Sequence, residues 1–229
     1  MGLLETARVE AGVVPLWPFH QLRLAASAQA LGLPLPATLP TADDVAASAG
    51  AVQGIAAVRL TATEGEIRLE AREVHPSGEG WRACSIPQLR DPNPRWAHKT
   101  TLRADHASAG AFAQAHGCQE AIWSAAQGRL TEGTITNLFV AIGGHLYTPR
   151  ATGSNLLPGI ARGRLLAAGA VAGHPVEEAN LTIADLVTAD EAFLTNAVRG
   201  AIPLVSLDGK RLRRGGLWLA AMASIFWGT

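Results

Sequence analysis

Two hydrophobic periods alternate along the chain, one of strands and one of helices, and Gly or Pro closes most runs. Leu3 to Val9 alternates loosely and predicts a strand, turned by Glu10-Ala11-Gly12 toward Val13. From His20 to Leu31, the residues Leu24, Ala28 and Leu31 recur at helical spacing, and Gly32 with Pro34 stops the helix. Thr41-Ala42-Asp43-Asp44 predicts a second helix, with Thr41 as cap and Asp44 completing a capping box. Ala57 to Thr63 and Glu66 to Glu73 alternate around Glu64-Gly65, as a hairpin does. Asp91-Pro92-Asn93-Pro94 makes Pro87 to Trp96 a stiff extended segment. Beyond it, Ala104 to His116 predicts a helix ended by Gly117, and Glu120 to Ser124 a short strand. Thr136 to Ile142 and His145 to Thr148 flank Gly143-Gly144, a strong hairpin signal because both turn residues accept positive φ. A helix should follow Leu156-Leu157-Pro158-Gly159, with Pro158 near its first turn. Thr182 to Asp185 repeats the capping-box pattern, Ala192 to Thr195 and Ile202 to Leu207 read as buried strands, and a helix from Leu217 to Phe226 closes the chain. The pattern predicts a two-domain α+β protein, divided at the linker into residues 1–92 and 93–229.

Composition narrows the class. With 48% hydrophobic and 17% charged residues over 229 positions, the chain can bury a substantial core, and disorder is excluded. The formal net charge is zero and the only basic cluster is Lys210-Arg211 with Arg213 and Arg214, which argues against nucleic acid as a main partner. The longest apolar run, Leu217 to Trp227, falls short of the roughly 20 residues a bilayer requires. Arg8 and Glu10 interrupt any signal-like run, so a cytoplasmic protein is expected. Cys84 and Cys118 lack metal spacing and read as reduced thiols; the dispersed histidines predict no metal site, and no Gly-rich dinucleotide fingerprint occurs.

Candidate chemistry begins at Lys99. The nineteen basic residues include only two lysines, Lys99 and Lys210. Lys210 follows the turn signal Asp208-Gly209 and reads as solvated, whereas Lys99 sits in His98-Lys99-Thr100-Thr101, just past the linker. Lysine in an arginine-rich chain suggests an amine that must lose its proton, which arginine cannot do in a protein. Taken alone, Lys99 also fits a partly exposed lysine after a linker.

His98-Lys99-Thr100-Thr101 is followed in order by Leu130-Thr131-Glu132-Gly133-Thr134-Ile135-Thr136-Asn137-Leu138-Phe139, then Leu156-Leu157-Pro158-Gly159-Ile160-Ala161-Arg162, then Phe193-Leu194-Thr195-Asn196-Ala197-Val198-Arg199-Gly200. This series resembles the class IV (fold type IV) pyridoxal-phosphate enzymes, the superfamily of branched-chain and D-amino-acid aminotransferases and 4-amino-4-deoxychorismate lyases. The resemblance runs from Leu4 to Gly209. It implies a two-domain D-amino-acid aminotransferase-like fold, with a small N-terminal α/β domain and a larger barrel-like domain carrying the lysine. Leu4-Glu5-Thr6-Ala7-Arg8-Val9 resembles a strand that relatives precede with a further strand and a Gly-rich turn, so the fold is expected to be N-terminally shortened.

The resemblance also implies roles. Lys99 would form the internal Schiff base with pyridoxal 5'-phosphate and carry the substrate's alpha proton, and Glu132 would pair with the pyridine nitrogen; both are the candidate catalytic residues. Arg23, in His20-Gln21-Leu22-Arg23-Leu24, would hold the phosphate together with the amides of Ile160 and Ala161, and Asn196-Ala197 would add a donor. Asn137 would shape the loop beside the ring, with Thr134 and Thr136. His98 would line the substrate side, and Arg199 would bind a substrate carboxylate. Each has a plainer reading: a helix-surface arginine for Arg23, a solvated turn glutamate for Glu132, a salt-bridged loop arginine for Arg199. Two positions depart from relatives: Ala104 stands where some carry a tyrosine, and Thr63-Glu64-Gly65 stands where many carry Thr-Arg-Gly, a swap of basic for acidic that argues against anion binding there. The Arg199 loop resembles the lyase version, so the expected reaction is conversion of 4-amino-4-deoxychorismate to 4-aminobenzoate and pyruvate, a step of folate biosynthesis. The alternatives are an aminotransferase for branched-chain or D-amino acids, and a non-catalytic protein that keeps the fold. An amino-acid-like substrate and a homodimer are expected partners.

Overall fold

Alternation in the first ten residues produces strand β1 (Leu3–Glu10) in the computed structural model, which describes residues 1–151 and 156–228. Leu3, Ala7 and Val9 join one core with Leu24 and Ala28 of helix α1 (Trp17–Leu31) and Val45 of α2 (Ala42–Ser48). Helix α1 begins at Trp17 rather than His20 because Pro18 occupies its first turn, where no amide hydrogen is needed. The capping box of Thr41 and Asp44 is present as the sequence predicts. Strands β2 (Ile55–Thr63) and β3 (Glu66–Glu73) form the expected hairpin, with Glu64 and Gly65 both at positive φ in an exposed turn. The three strands make an antiparallel sheet in the order β1-β2-β3.

The other edge of β1 is covered by a distant stretch of chain. The Leu4 amide donates to the Lys99 carbonyl at 2.7 Å and the Thr101 amide to the Gly2 carbonyl at 2.9 Å. His98–Leu102 consequently belongs to a first compact unit with Met1–Pro76, whereas Ser77–Ala97 joins Arg103–Thr229 in the second. Backbone bonding to β1 thus groups Lys99 with the first compact unit, although the residues on either side of His98–Leu102 belong to the second.

The second unit is built from β4 (Trp81–Ser85), α3 (Ala104–Ala115), β5 (Glu120–Ser124), β6 (Leu130–Gly133), β7 (Asn137–Ile142) and β8 (His145–Pro149). It continues with α4 (Ile160–Ala168), β9 (Ala170–Val171), β10 (His174–Ala179), α5 (Ile183–Thr188), β11 (Glu191–Asn196), β12 (Gly200–Leu207), β13 (Lys210–Arg211) and α6 (Trp218–Trp227). Its strands form a ten-stranded sheet in the order β11-β12-β4-β5-β6-β7-β8-β10-β9, with β13 on β12. An additional antiparallel pairing of β11 with β7 closes part of this sheet on itself.

Closure explains the unbroken apolar runs. On β7, Leu138 and Val140 enter one core with Ala192 and Leu194 of β11, while Phe139 and Ala141 enter another with Phe193, α4 and α6. Both faces of these strands are buried, so alternation disappears from the sequence. Trp218, Met222 and Phe226 bring α6 onto the second core. Helix α4 is capped by Gly159, which puts Pro158 just ahead of the helix rather than in its first turn. Cys84 and Cys118 are free thiols packed in one small cluster. No described helix is long and apolar enough to cross a membrane.

Phe193 is 1% exposed in the middle of β11. Phe193→Ala removes a ring that neighbouring strands and helices cannot fully replace, and should cost roughly 3–5 kcal/mol, read as a fall in the urea midpoint at unchanged slope.

Candidate active site

In the first unit, Glu5 points from β1 into the apolar face shared by Leu3, Ala7 and Val9, and such a carboxylate needs partners. Arg23 supplies them as a planar fork: Nε donates to Oε1 at 2.8 Å and Nη2 to Oε2 at 2.5 Å. His20 Nδ1 lies 2.7 Å from Oε2. Burial would raise the Glu5 carboxyl, but the Arg23 charge and the hydrogen bonds from His20 and Arg23 outweigh it and bring it down to about 2. Burial holds the His20 imidazole below its ordinary value. Arg23 is thus neither a free helix-surface arginine nor an uncommitted anion receptor, since Glu5 takes two of its donors. Lys99 is half-buried with Nζ 3.5 Å from Thr6 Oγ1, and its charge reaches His20. His98 Nδ1 lies 3.0 Å from Ser27 Oγ.

In the second unit, Glu132 is buried on β6 and directly opposite Asn137 in the register with β7. Its Oε1 accepts from Arg90 Nη1 at 2.5 Å, and its Oε2 from the Leu157 amide at 3.0 Å and Asn137 Nδ2 at 3.4 Å. Burial still pushes the carboxyl up to about 7 against the pull of the Arg90 guanidinium and the Leu157 amide. Glu132 is therefore not a solvated turn residue. Asn137 also donates to the Leu157 carbonyl at 2.9 Å, so the segment ahead of α4 is tied to both β6 and β7. A Cβ on Gly159 would collide with the Asn137 carboxamide oxygen, which is why glycine stands at this cap. Ile160 and Ala161 open α4, and the helix itself does not use their amides.

The loop between Glu132 and Asn137 is held from below by a second buried carboxylate. Glu120 accepts from the Thr134 amide at 2.8 Å, the Ile135 amide at 3.2 Å, and the hydroxyls of Thr134 and Thr136. Burial raises its carboxyl, and these bonds oppose the rise. Thr134 and Thr136 are thus committed to Glu120. Arg103 Nη2 closes the same loop on the Thr134 carbonyl at 2.8 Å. Ala104 is the first residue of α3.

Asn196 ends β11 and braces the next turn: its Oδ1 accepts from the amides of Val198 at 3.0 Å and Arg199 at 2.8 Å. Its side-chain oxygen is occupied by that turn, which Ala197 begins. Arg199 Nη1 donates to Ser77 Oγ at 3.1 Å, and its guanidinium lies 5.3 Å from the Trp81 ring centre. These contacts orient the guanidinium.

The structure thus gathers Lys99, Arg23 and His98 in the first unit and Glu132, Asn137 and the start of α4 in the second, with Asn196, Ala197 and Arg199 on a separate turn of that unit. Sequence reasoning missed Glu5, Arg90 and Glu120. Glu5 left a signal, an acid on the inward face of an alternating strand. Arg90 left none, because its partners are distant in sequence.

The profile of the amino-transferase class IV family matches residues 2–207. A Methanocaldococcus jannaschii protein assigned provisionally as a branched-chain-amino-acid aminotransferase is 30% identical, over 91% of this chain and 79% of that protein. A Legionella pneumophila structure assigned provisionally as a 4-amino-4-deoxychorismate lyase superposes with a TM-score of 0.81 at 27% identity, covering 94% of this chain and 86% of that one. The branched-chain aminotransferase of Thermoproteus uzoniensis, solved with norvaline, gives a TM-score of 0.83 at 25% identity, covering 98% and 84%.

The Glu5 cluster sets an acid limit. A carboxyl held lower in the folded chain than its ordinary 4.5 adds stability above that value, and the contribution is lost as pH falls toward 2. The loss should be on the order of 3 kcal/mol, at about 1.36 kcal/mol per pKa unit. Urea midpoints measured from about pH 6 to about pH 3 should fall in the parent chain, and more shallowly in Glu5→Gln.

Proposed function

The chain belongs to the class IV aminotransferase family of pyridoxal-phosphate enzymes, and from that premise we propose that it is a lyase converting 4-amino-4-deoxychorismate to 4-aminobenzoate and pyruvate. The observation that carries this reading is Arg199, a guanidinium oriented by Ser77 and Trp81 on a turn braced by Asn196. Such a group suits the carboxylates of that substrate. The likeness to the Legionella pneumophila structure supports it. A second reading, an aminotransferase for branched-chain or D-amino acids, is favoured by the name of the Methanocaldococcus jannaschii relative.

The residues present fit the cofactor. Glu132 is a buried acid of the kind a pyridine nitrogen requires, and Gly159 keeps the start of α4 free of a side chain where a phosphate would meet amides. When bound, pyridoxal phosphate supplies the electron sink for negative charge developed on the substrate carbon that bears the amine. Lys99 would hold the cofactor through its amine and, as the free amine, would take the proton from that carbon. Glu132 would supply the counter-charge, and the amides of Ile160 and Ala161 would bind phosphate, a role also proposed for Arg23, whose guanidinium Glu5 orients. Asn137 keeps Glu132 and the α4 segment in register. Arg199 and His98 address the substrate, and Asn196 and Ala197 form the turn that presents Arg199. In the lyase, the electron pair left by the proton forms a ring double bond as the neighbouring carbon–oxygen bond breaks. The ring becomes aromatic, and the departing enolpyruvate takes a proton to become pyruvate. A homodimer belongs to the same reading, and sedimentation of the cofactor-loaded chain as a monomer would remove it.

Incubation with 4-amino-4-deoxychorismate should yield 4-aminobenzoate and pyruvate in equal amounts. Keto acids formed from branched-chain or D-amino acids, with neither of those products, would replace this reading with the aminotransferase. Borohydride treatment of loaded protein should attach cofactor mass to the peptide containing Lys99 and leave the Lys210 peptide unchanged. Lys99→Ala should lose turnover by orders of magnitude with an unaltered circular dichroism spectrum. Arg199→Ala should weaken capture of 4-amino-4-deoxychorismate by ~10²-fold, about 2–3 kcal/mol, seen in kcat/KM.

A further inference from the structure

Arg90 lies outside every motif that carries the family resemblance, yet it makes the shortest contact to Glu132. Its guanidinium carbon sits 3.9 Å from the Trp96 ring centre and 4.3 Å from that of Trp123, so an indole stacks on it from each residue. The Arg90 amide donates to the Ser124 carbonyl at 2.7 Å, pinning the backbone to the end of β5. Nη2 lies 3.4 Å from His106 Nε2 on α3. The stacked plane leaves only the edge of the guanidinium for hydrogen bonding, and one edge nitrogen meets Glu132.

We propose that Arg90 is a positioning residue that keeps Glu132 ionised and fixes the direction of its carboxylate toward the cofactor's pyridine nitrogen. The proposal rests on the reading of Glu132 given above and deepens it, because a neutral carboxylic acid cannot supply the counter-charge that a protonated pyridine requires. The groups that act on the Glu132 charge are Arg90 ahead of α3, Arg103 at the start of α3, and the dipoles of Leu157 and Asn137, while His106 on α3 meets Arg90 and the second buried acid, Glu120, is engaged by the loop from Thr134 to Thr136. Of these, Arg90 combines a hydrogen bond of 2.5 Å with a full positive charge. Burial pushes the Glu132 carboxyl up and the Arg90 charge pulls it down, so loss of that charge would shift the group further toward its protonated form. Two indoles make the arrangement stiff as well as charged: lysine, a point charge on a flexible stem, would not reproduce it.

The test uses the full chain without cofactor first. Infrared difference spectra over pH, with Glu132→Gln identifying the Glu132 carboxyl band, give its protonation midpoint directly. The midpoint should lie near neutrality in the parent chain, rise by roughly 1–3 pH units in Arg90→Met, and rise by a smaller amount in Arg90→Lys. Affinity for pyridoxal phosphate, followed by absorbance at about pH 7.5, should fall in the same order. An unmoved midpoint in either folded variant would overturn the proposal, and so would a parent chain whose Glu132 is already protonated at about pH 9, which needs no variant to fold. Failure of the underlying reading looks different: Glu132→Gln would then bind pyridoxal phosphate and turn over like the parent, whatever Arg90 does to the infrared midpoint.

Discussion

A carboxylate removed from water has to be answered by charge and by hydrogen bonds together, and Glu132 meets that demand with four segments of chain. Arg90 comes from the stretch after β4, Asn137 from the start of β7, Leu157 from the approach to α4, and Glu132 itself from β6. Losing any one partner leaves a buried charge under-satisfied, a cost of several kcal/mol in order of magnitude. The same residues set the origin of β7, the strand through which β11 closes the sheet. Fold and candidate chemistry therefore meet on one side chain.

Glu5 and Glu120 obey the same constraint by different means. Arg23 and His20 answer Glu5 with charge, and its carboxyl falls to about 2. Glu120 receives only neutral donors, and its carboxyl stays above its ordinary value. A charged partner inverts the effect of burial, whereas dipoles merely reduce it. Placed beneath the loop from Gly133 to Thr136, a carboxylate that accepts from two amides and two hydroxyls of that loop, and from the Ala121 amide besides, acts as a template for backbone shape. A side chain on Gly133 would meet both Thr136 Oγ1 and this carboxylate, which restricts that position to glycine.

Features legible in the sequence were those decided locally. The capping boxes at Thr41 and Thr182 and the hairpin turns at Glu64-Gly65 and Gly143-Gly144 depend on neighbouring residues, and the structure has them where the pattern puts them. Trp81–Ser85 and His174–Ala179 carry no strand signal in the sequence because they gain their bonds from chain far away, and Leu130–Gly133 carries none because it is short and pairs irregularly with β5. The ordered motifs pointed to Lys99, Glu132 and Arg23, and the family follows from that order. They could not reveal that Glu5 already engages Arg23 or that two indoles fix Arg90, because geometry rather than spacing creates those relations.

The division into two compact units has a consequence for how the molecule can be taken apart. The backbone passes from one compact unit to the other after residues 76, 97 and 102, so the first unit is made of two separate pieces of sequence. No single scission yields either unit whole. A fragment ending at residue 92 would lack the strip that bonds along β1, exposing the amide of Leu4 and the carbonyl of Gly2. During synthesis, the first unit must wait with an open strand edge until Leu102 has left the ribosome, a delay that places a premium on keeping that edge from pairing elsewhere.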